Sequence, residues 1–159
     1  NQGDCVIASK AAYWKISETH FGIFSENNTP ILKSRYLFGD PDIGDVIVFT
    51  YPKDPNRHFI KRVIGKEGNS IHINDGEVFL NGVLLDEPYL DPSLTDSSNW
   101  GPNVVGIGEY FVLGDNRRAS NDSRTWGTIS AEHIMGKYLG RYPSSVCSLS
   151  PITQETYDN

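Results

Sequence analysis

Apolar positions along this chain come in short bursts with no long period. "DVIVFT" (45–50), "HFIKRVIG" (58–65), "SIHI" (70–73), "EVFL" (77–80), "VLL" (83–85), "EYFVLG" (109–114) and "GKYLGRY" (136–142) are rich in Val, Ile, Phe and Tyr. Turn residues bound each of them, which is the signature of β-strands. Two gaps carry hairpin chemistry: "NDG" (74–76) separates "SIHI" from "EVFL", and "NG" (81–82) separates "EVFL" from "VLL". Asp-Gly and Asn-Gly supply the positive φ that tight hairpin turns need. Helical signal is sparse. "SAEHIM" (130–135) has a Ser cap and room for one or two turns, and "ASKAAYW" (8–14) suits a helix or a strand end. Residues 17–30 and 86–103 are dense in Asn, Asp, Ser, Gly and Pro without a period, so both read as loops, the second an extended surface excursion. The pattern predicts a mainly β fold in one domain. Residues 68–107 would form a β-ribbon inserted into a core built by the flanking strands, and those flanks must then meet in space.

Composition adds exclusions. With 159 residues, 38% hydrophobic and 21% charged, the chain is an ordinary globular sequence long enough to bury a sizeable core. A net charge of −6, with Lys and Arg scattered along the chain, argues against a nucleic-acid partner. No apolar run approaches the ~20 residues of a membrane span, and no signal-peptide pattern opens the chain. His20, His58, His72 and His133 lack ligand spacing, and Cys5 and Cys147 form no C-x-x-C unit, so neither a metal nor another cofactor is expected. Two free thiols is the preferred reading of the cysteines. A Cys5–Cys147 disulfide stays open for an oxidising compartment.

Candidate chemistry centres on two stretches. In "HFIKRVIG", alternation places Phe59, Lys61 and Val63 on one face of a strand and Ile60 and Arg62 on the other. A lysine among apolar neighbours either snorkels to an edge or is desolvated, and desolvation lowers its pKa towards the range of a general base. "GDNRRASNDSRTWG" (114–127) is denser in charges and short polar groups than a turn requires. Either it is a solvated turn, whose ion pairs contribute ~0–1 kcal/mol, or its side chains form a packed polar scaffold. A neutral lysine base needs a hydroxyl to orient its amine, and Ser120 and Ser123 are candidates. Ser9, followed by Lys10, superficially suggests a Ser-Lys pair of its own, but neighbours in a strand point to opposite faces, so those two side chains do not easily meet.

The same stretch resembles the most diagnostic motif of the type I signal peptidases, G-D-N-R-x-x-S-x-D-S-R-x-x-G, at every fixed position from Gly114 to Gly127. "GDVIVF" (44–49) resembles a strand motif of that family, and "FIKRVIG" (59–65) the motif bearing its lysine base. "DGEVFLNGVLLDEPYL" and "GKYLGRY" are similar to its hairpin segment and closing strand. "NQGDCVIASKAAY" is similar to the residues that follow its nucleophile motif, S-M-x-P-T-L. Residues 17–38 stand out as an insertion. The chain departs from the usual pattern at Glu67-Gly68-Asn69, where Pro-Gly-Asp is common, and at Ala119, where Asn is common.

The resemblance implies an antiparallel β-sheet catalytic core interrupted by a second β region. It implies a serine–lysine endopeptidase in which Lys61 is the general base and Ser120 orients its amine. Asp115, Arg117, Asp122 and Arg124 would form the supporting shell, with Asp122 and Arg124 paired, and Phe59 and Ile60 would help line the substrate pockets. The nucleophilic serine is expected shortly before Asn1, so the chain as it stands is expected to be inert. Implied partners are exported preproteins cut after Ala-x-Ala-like sequences, and a membrane reached through an anchor preceding Asn1. The catalytic part would lie on the extracytoplasmic side, at a cell surface, in a periplasm or in a thylakoid lumen. The main alternative is a catalytically silent relative acting as a binding or assembly factor for exported proteins. A self-cleaving Ser-Lys repressor domain fits less well, as does a β module without catalysis.

Overall fold

The structure, a computed structural model, describes residues 5–9, 39–142 and 157–158. It is built from strands β1 (Cys5–Ser9), β2 (Val46–Thr50), β3 (His58–Lys66), β4 (Ser70–Asn74), β5 (Glu77–Leu80), β6 (Val83–Leu84), β7 (Trp100–Val104), β8 (Glu109–Leu113), β9 (Ile129–Ser130), β10 (Ile134–Tyr142) and β11 (Tyr157–Asp158), with one short helix, α1 (Ser123–Trp126). The larger sheet runs β1-β10-β2-β3-β8-β9, with β11 alongside β3, and the smaller runs β6-β5-β4-β7. Every pairing is antiparallel except that of β11 with β3.

The smaller sheet arises from the chain between β3 and β8, two strands that are themselves hydrogen-bonded neighbours. Its hairpins turn at Asp75-Gly76 (φ 50° and 82°) and Asn81-Gly82 (φ 53° and 81°). Paired positive φ values of this kind match the right-handed twist of the flanking strands.

Strand β3 positions the site. Its first half, His58 to Arg62, pairs with β2, and its second, Arg62 to Lys66, pairs with β8. A register shift between Val63 and Gly65 kinks the second half. Around it, neighbouring residues enter different cores. Phe59, Val63 and Val112 join Ile47, Phe49, Tyr110, Ile129, Ala131 and Ile134 in one buried cluster. Ile64, Phe111 and Leu113 join Ile71, Ile73, Val78 and Val105 in the other. Burying each such side chain stabilises the fold by about 1.5–3 kcal/mol, so β3 and β8 are held from both sides.

Two local expectations change. The excursion at 86–103 is not loop throughout, because its end forms β7 across Gly101-Pro102. Proline has no N–H to donate and is tolerated where a strand lies at a sheet edge, as β7 does. "SAEHIM" yields only a 3-10 turn, Ala131–His133, capped by the Ser130 hydroxyl accepting from the Glu132 N–H, before Ile134 enters β10. The start of "ASKAAYW" ends strand β1, while its remainder, the 17–38 insertion and Cys147 lie outside the described residues.

Candidate active site

Lys61 lies in the middle of β3, opposite Ile47 on β2, and is 3% exposed. Its ammonium is 5.5 Å from the centre of the Phe59 ring. Burial holds its pKa below the ordinary 10.5, with Arg124 adding to the effect, while Asp122 and Asp115 pull the other way. Desolvation wins because the charged form loses its hydration and, among the described residues, no carboxylate pairs with it directly.

The stretch 114–127 folds over this lysine as a 3-10 turn (Arg117–Ala119) followed by α1. A Cβ placed on Gly114 would lie 2.1 Å from Ser120 Oγ and 3.5 Å from Lys61 Cδ, so both side chains lie over the bare face of Gly114. Ser120 Oγ is buried and, among the described residues, has no hydrogen-bond partner. No described protein group claims this hydroxyl, so it does not hold the loop in place. Ser123, the other candidate hydroxyl, instead accepts from the Val112 N–H at 2.9 Å and fixes the loop to β8.

The charged residues of the loop form a packed scaffold. Asp122, with no exposed surface, caps α1 by accepting from the Arg124 N–H, and also accepts from the Gly114 N–H at 3.2 Å. Its carboxylate takes Arg124 Nε and Nη2 at 2.8 and 2.9 Å, the bidentate geometry of a strong ion pair. Arg124 reaches further, donating to Asp96, Ser98 and the Arg117 carbonyl. Arg117 is 3% exposed and donates to the Gly114 carbonyl and to Glu87. Asp115 accepts both Nε and Nη2 of Arg62, whose guanidinium also donates to the Gly44 carbonyl and lies 3.8 Å from the Tyr89 ring centre.

Lys61, Ser120, Asp115, Arg117, Asp122 and Arg124 thus belong to one contiguous cluster. Of the two residues expected to line substrate pockets, Phe59 is 1% exposed and packs its ring against Phe49 (6.1 Å between centroids) and Tyr51 (4.7 Å), whereas Ile60 is half-buried. Ser9 is separated from β3 by β10 and β2, three strand spacings or about 14 Å. Sequence reasoning missed Arg62, Glu87, Tyr89, Asp96 and Ser98. Arg62 was visible as a charge in an apolar strand, but nothing marked its partner, and the other four sit in a stretch that reads as loop. Among the described residues no group of acidic, His and Cys side chains is arranged to hold a metal.

The site thus sets a buried lysine and a serine hydroxyl over one glycine, on a two-sheet, mainly antiparallel β scaffold. The family follows from comparison: residues 1–142 match the signal peptidase, peptidase S26, family model, and the chain belongs to that family. It is 38% identical to a probable signal peptidase I-2 of Synechocystis, a match covering 70% of this chain and 53% of that protein. It is 36% identical to thylakoidal processing peptidase 1 of Arabidopsis thaliana, covering 72% of this chain and 36% of the relative. A signal peptidase IB of Staphylococcus aureus is 34% identical, over 80% of this chain and 79% of its own length. The chain therefore spans about half or less of the first two relatives. The fold is similar to the crystal structure of a signal peptidase I from Enterococcus faecalis, with a TM-score of 0.55 and 29% identity, covering 64% of this chain and 98% of that one.

Proposed function

We propose that this chain is the base-bearing region of a membrane-associated endopeptidase that removes signal peptides from exported preproteins. The observation that carries the reading is Lys61, buried, held below its ordinary pKa and sharing the bare face of Gly114 with Ser120. A serine upstream of Asn1, implied by the likeness of the first residues to the stretch after S-M-x-P-T-L, attacks the substrate carbonyl. Neutral Lys61 takes the proton from its hydroxyl and returns it to the leaving amine as the acyl-enzyme forms. Lys61 then takes a proton from water, whose oxygen attacks the ester and releases the serine. Ser120 accepts from or donates to the lysine amine and keeps it in line, the orienting part that aspartate plays in a Ser-His-Asp triad. Preproteins cut after Ala-x-Ala-like sequences are the proposed substrates, with shallow apolar pockets by Phe59 and Ile60. The proposed location is a membrane, with the catalytic region on its extracytoplasmic side, and the thylakoidal relative supports this.

The test is preprotein cleavage by the whole protein, including the upstream serine. Lys61→Ala should abolish cleavage, and Ser120→Ala should slow it with the melting temperature unchanged. Normal turnover by the Lys61 variant would sink the mechanism. An unchanged rate in the Ser120 variant would remove that residue from the site.

A further inference from the structure

Every arginine that frames Lys61 and Ser120 is engaged by one stretch of chain, the excursion between β6 and β7. Glu87 accepts both Nη1 and Nη2 of Arg117, Asp96 and Ser98 accept from Arg124, and Tyr89 stacks beneath Arg62. The Glu87–Arg117 contact is the most buried of these, with 9% and 3% of the two side chains exposed. It is also the one with a direct mechanical path to the site. Arg117 Nε donates to the Gly114 carbonyl at 3.1 Å, and Gly114 is the residue over which Ser120 Oγ and Lys61 Cδ approach each other. The Tyr89 hydroxyl donates to Glu87 at 2.6 Å and fixes the carboxylate from the far side.

We infer that Glu87 is a positioning residue for the lysine base: it locks Arg117, Arg117 holds the Gly114 carbonyl, and the seating of Ser120 against Lys61 depends on that hold. The proposal rests on the reading of Lys61 as general base. It gives the excursion at 86–99 a function. This segment lies outside the larger sheet in sequence, yet it carries the counter-charge without which Arg117 would be a buried, unpaired cation. Positioning at this level matters because a misplacement of about 1 Å away from the reacting atoms costs roughly a hundredfold in rate.

The experiment is steady-state cleavage of a synthetic preprotein peptide by the whole protein carrying Glu87→Gln, which keeps the side-chain volume and one acceptor but removes the charge. Lys61→Ala, Ser120→Ala and the Glu87→Gln/Ser120→Ala double variant are measured beside it. The expected result is a kcat lowered about 10–100-fold with KM within about twofold. The double variant should be little slower than Ser120→Ala alone, since both changes act on one contact. Losses that multiply, or a kcat unchanged by Glu87→Gln while the melting temperature falls, would overturn the proposal and leave Glu87 a stabilising residue only. Should Glu87→Gln fail to fold, Tyr89→Phe removes only the hydroxyl that fixes Glu87, and its effects on kcat and with Ser120→Ala are read in the same way. Lys61→Ala separates the two levels of inference. Full activity in that variant refutes the proteolytic mechanism itself, whereas its loss together with an active Glu87→Gln enzyme refutes only the brace.

Discussion

Gly114→Ala is the smallest change that should disable the site without touching a reacting group. The added methyl would lie 2.1 Å from Ser120 Oγ and 2.6 Å from Ser120 Cβ, where carbon contacts settle at about 3.5–4.0 Å. Ser120 must therefore retreat by about 1 Å, because Gly114 itself cannot. Its N–H is held by Asp122 at 3.2 Å and its carbonyl by Arg117 at 3.1 Å, and β8 ends immediately before it. Overpacking of this kind destabilises by roughly 1–3 kcal/mol, a fall in melting temperature of about 2–12 °C for a chain of this size. The catalytic effect should be larger, roughly a hundredfold in kcat, the usual result of a 1 Å misplacement. Thermal melts and peptide-cleavage kinetics on the same preparations, well below the melting temperature, separate the two. A variant that is destabilised yet retains kcat would show that the Ser120–Lys61 approach is irrelevant to turnover, and the argument from Gly114 would fail.

Other changes probe the shell and the lysine's charge. Asp122→Asn removes the charge from a fully buried carboxylate that caps α1 and binds Arg124 at two points, and should cost about 3–5 kcal/mol. A melting temperature within a degree of the parent would return the 114–127 loop to the status of solvated turn. Burial depresses Lys61 below 10.5, so between that lowered value and 10.5 the unfolded chain binds more protons than the folded one, and stability rises with pH across the window. Lys61→Met removes the titrating group. It should stabilise the fold most below the window and lose that advantage, at about 1.4 kcal/mol per tenfold change in proton affinity, as pH climbs through it; denaturation curves that stay parallel from neutral pH to pH 10.5 would contradict the assignment. Arg124→Gln takes away a cation that helps hold Lys61 low and frees Asp122 to attract it, so the acid limb of the pH–rate profile should move to higher pH. A limb that stays in place or moves down would refute this account of the charge balance.

How far the fold can be read from the residues depends on where each signal is local. Strands β2, β3, β4, β5 and β8 announce themselves because β-branched and aromatic residues alternate between unmistakable turns, two of them Asp-Gly and Asn-Gly. Strand β7 hides because Gly101-Pro102 reads as punctuation, and only its place at a sheet edge makes proline acceptable there. Strand β9 is too short to show a period, and the Ser130 cap leads into a 3-10 turn because Ile134 is claimed by β10. Lys61 and Ser120 could be picked out as a pair because their motifs are compact. Glu87, Tyr89 and Asp96 could not, since their partners are 27 to 30 positions away and the stretch around them has the composition of any surface loop. Contacts closed by the insertion of one sheet between two paired strands leave no periodic trace.

The shell solves a specific electrostatic problem. A lysine base must be neutral at working pH, yet a polar site able to hold Ser120 in place needs carboxylates nearby, and a free carboxylate beside Lys61 would favour its protonated form. Here each of the two carboxylates felt most by Lys61 is already engaged in a bidentate pair, Asp122 with Arg124 and Asp115 with Arg62. Their hydrogen-bonding capacity goes to the backbone and to guanidinium groups, and Arg124 offsets part of their pull on the lysine. Burial then dominates, and among the described residues the amine has no counter-ion in direct contact. The arginines in turn require partners of their own, and the excursion between β6 and β7 supplies them through Glu87, Tyr89 and Asp96. The segment between β6 and β7 is in this sense the outer layer of the charge balance around Lys61.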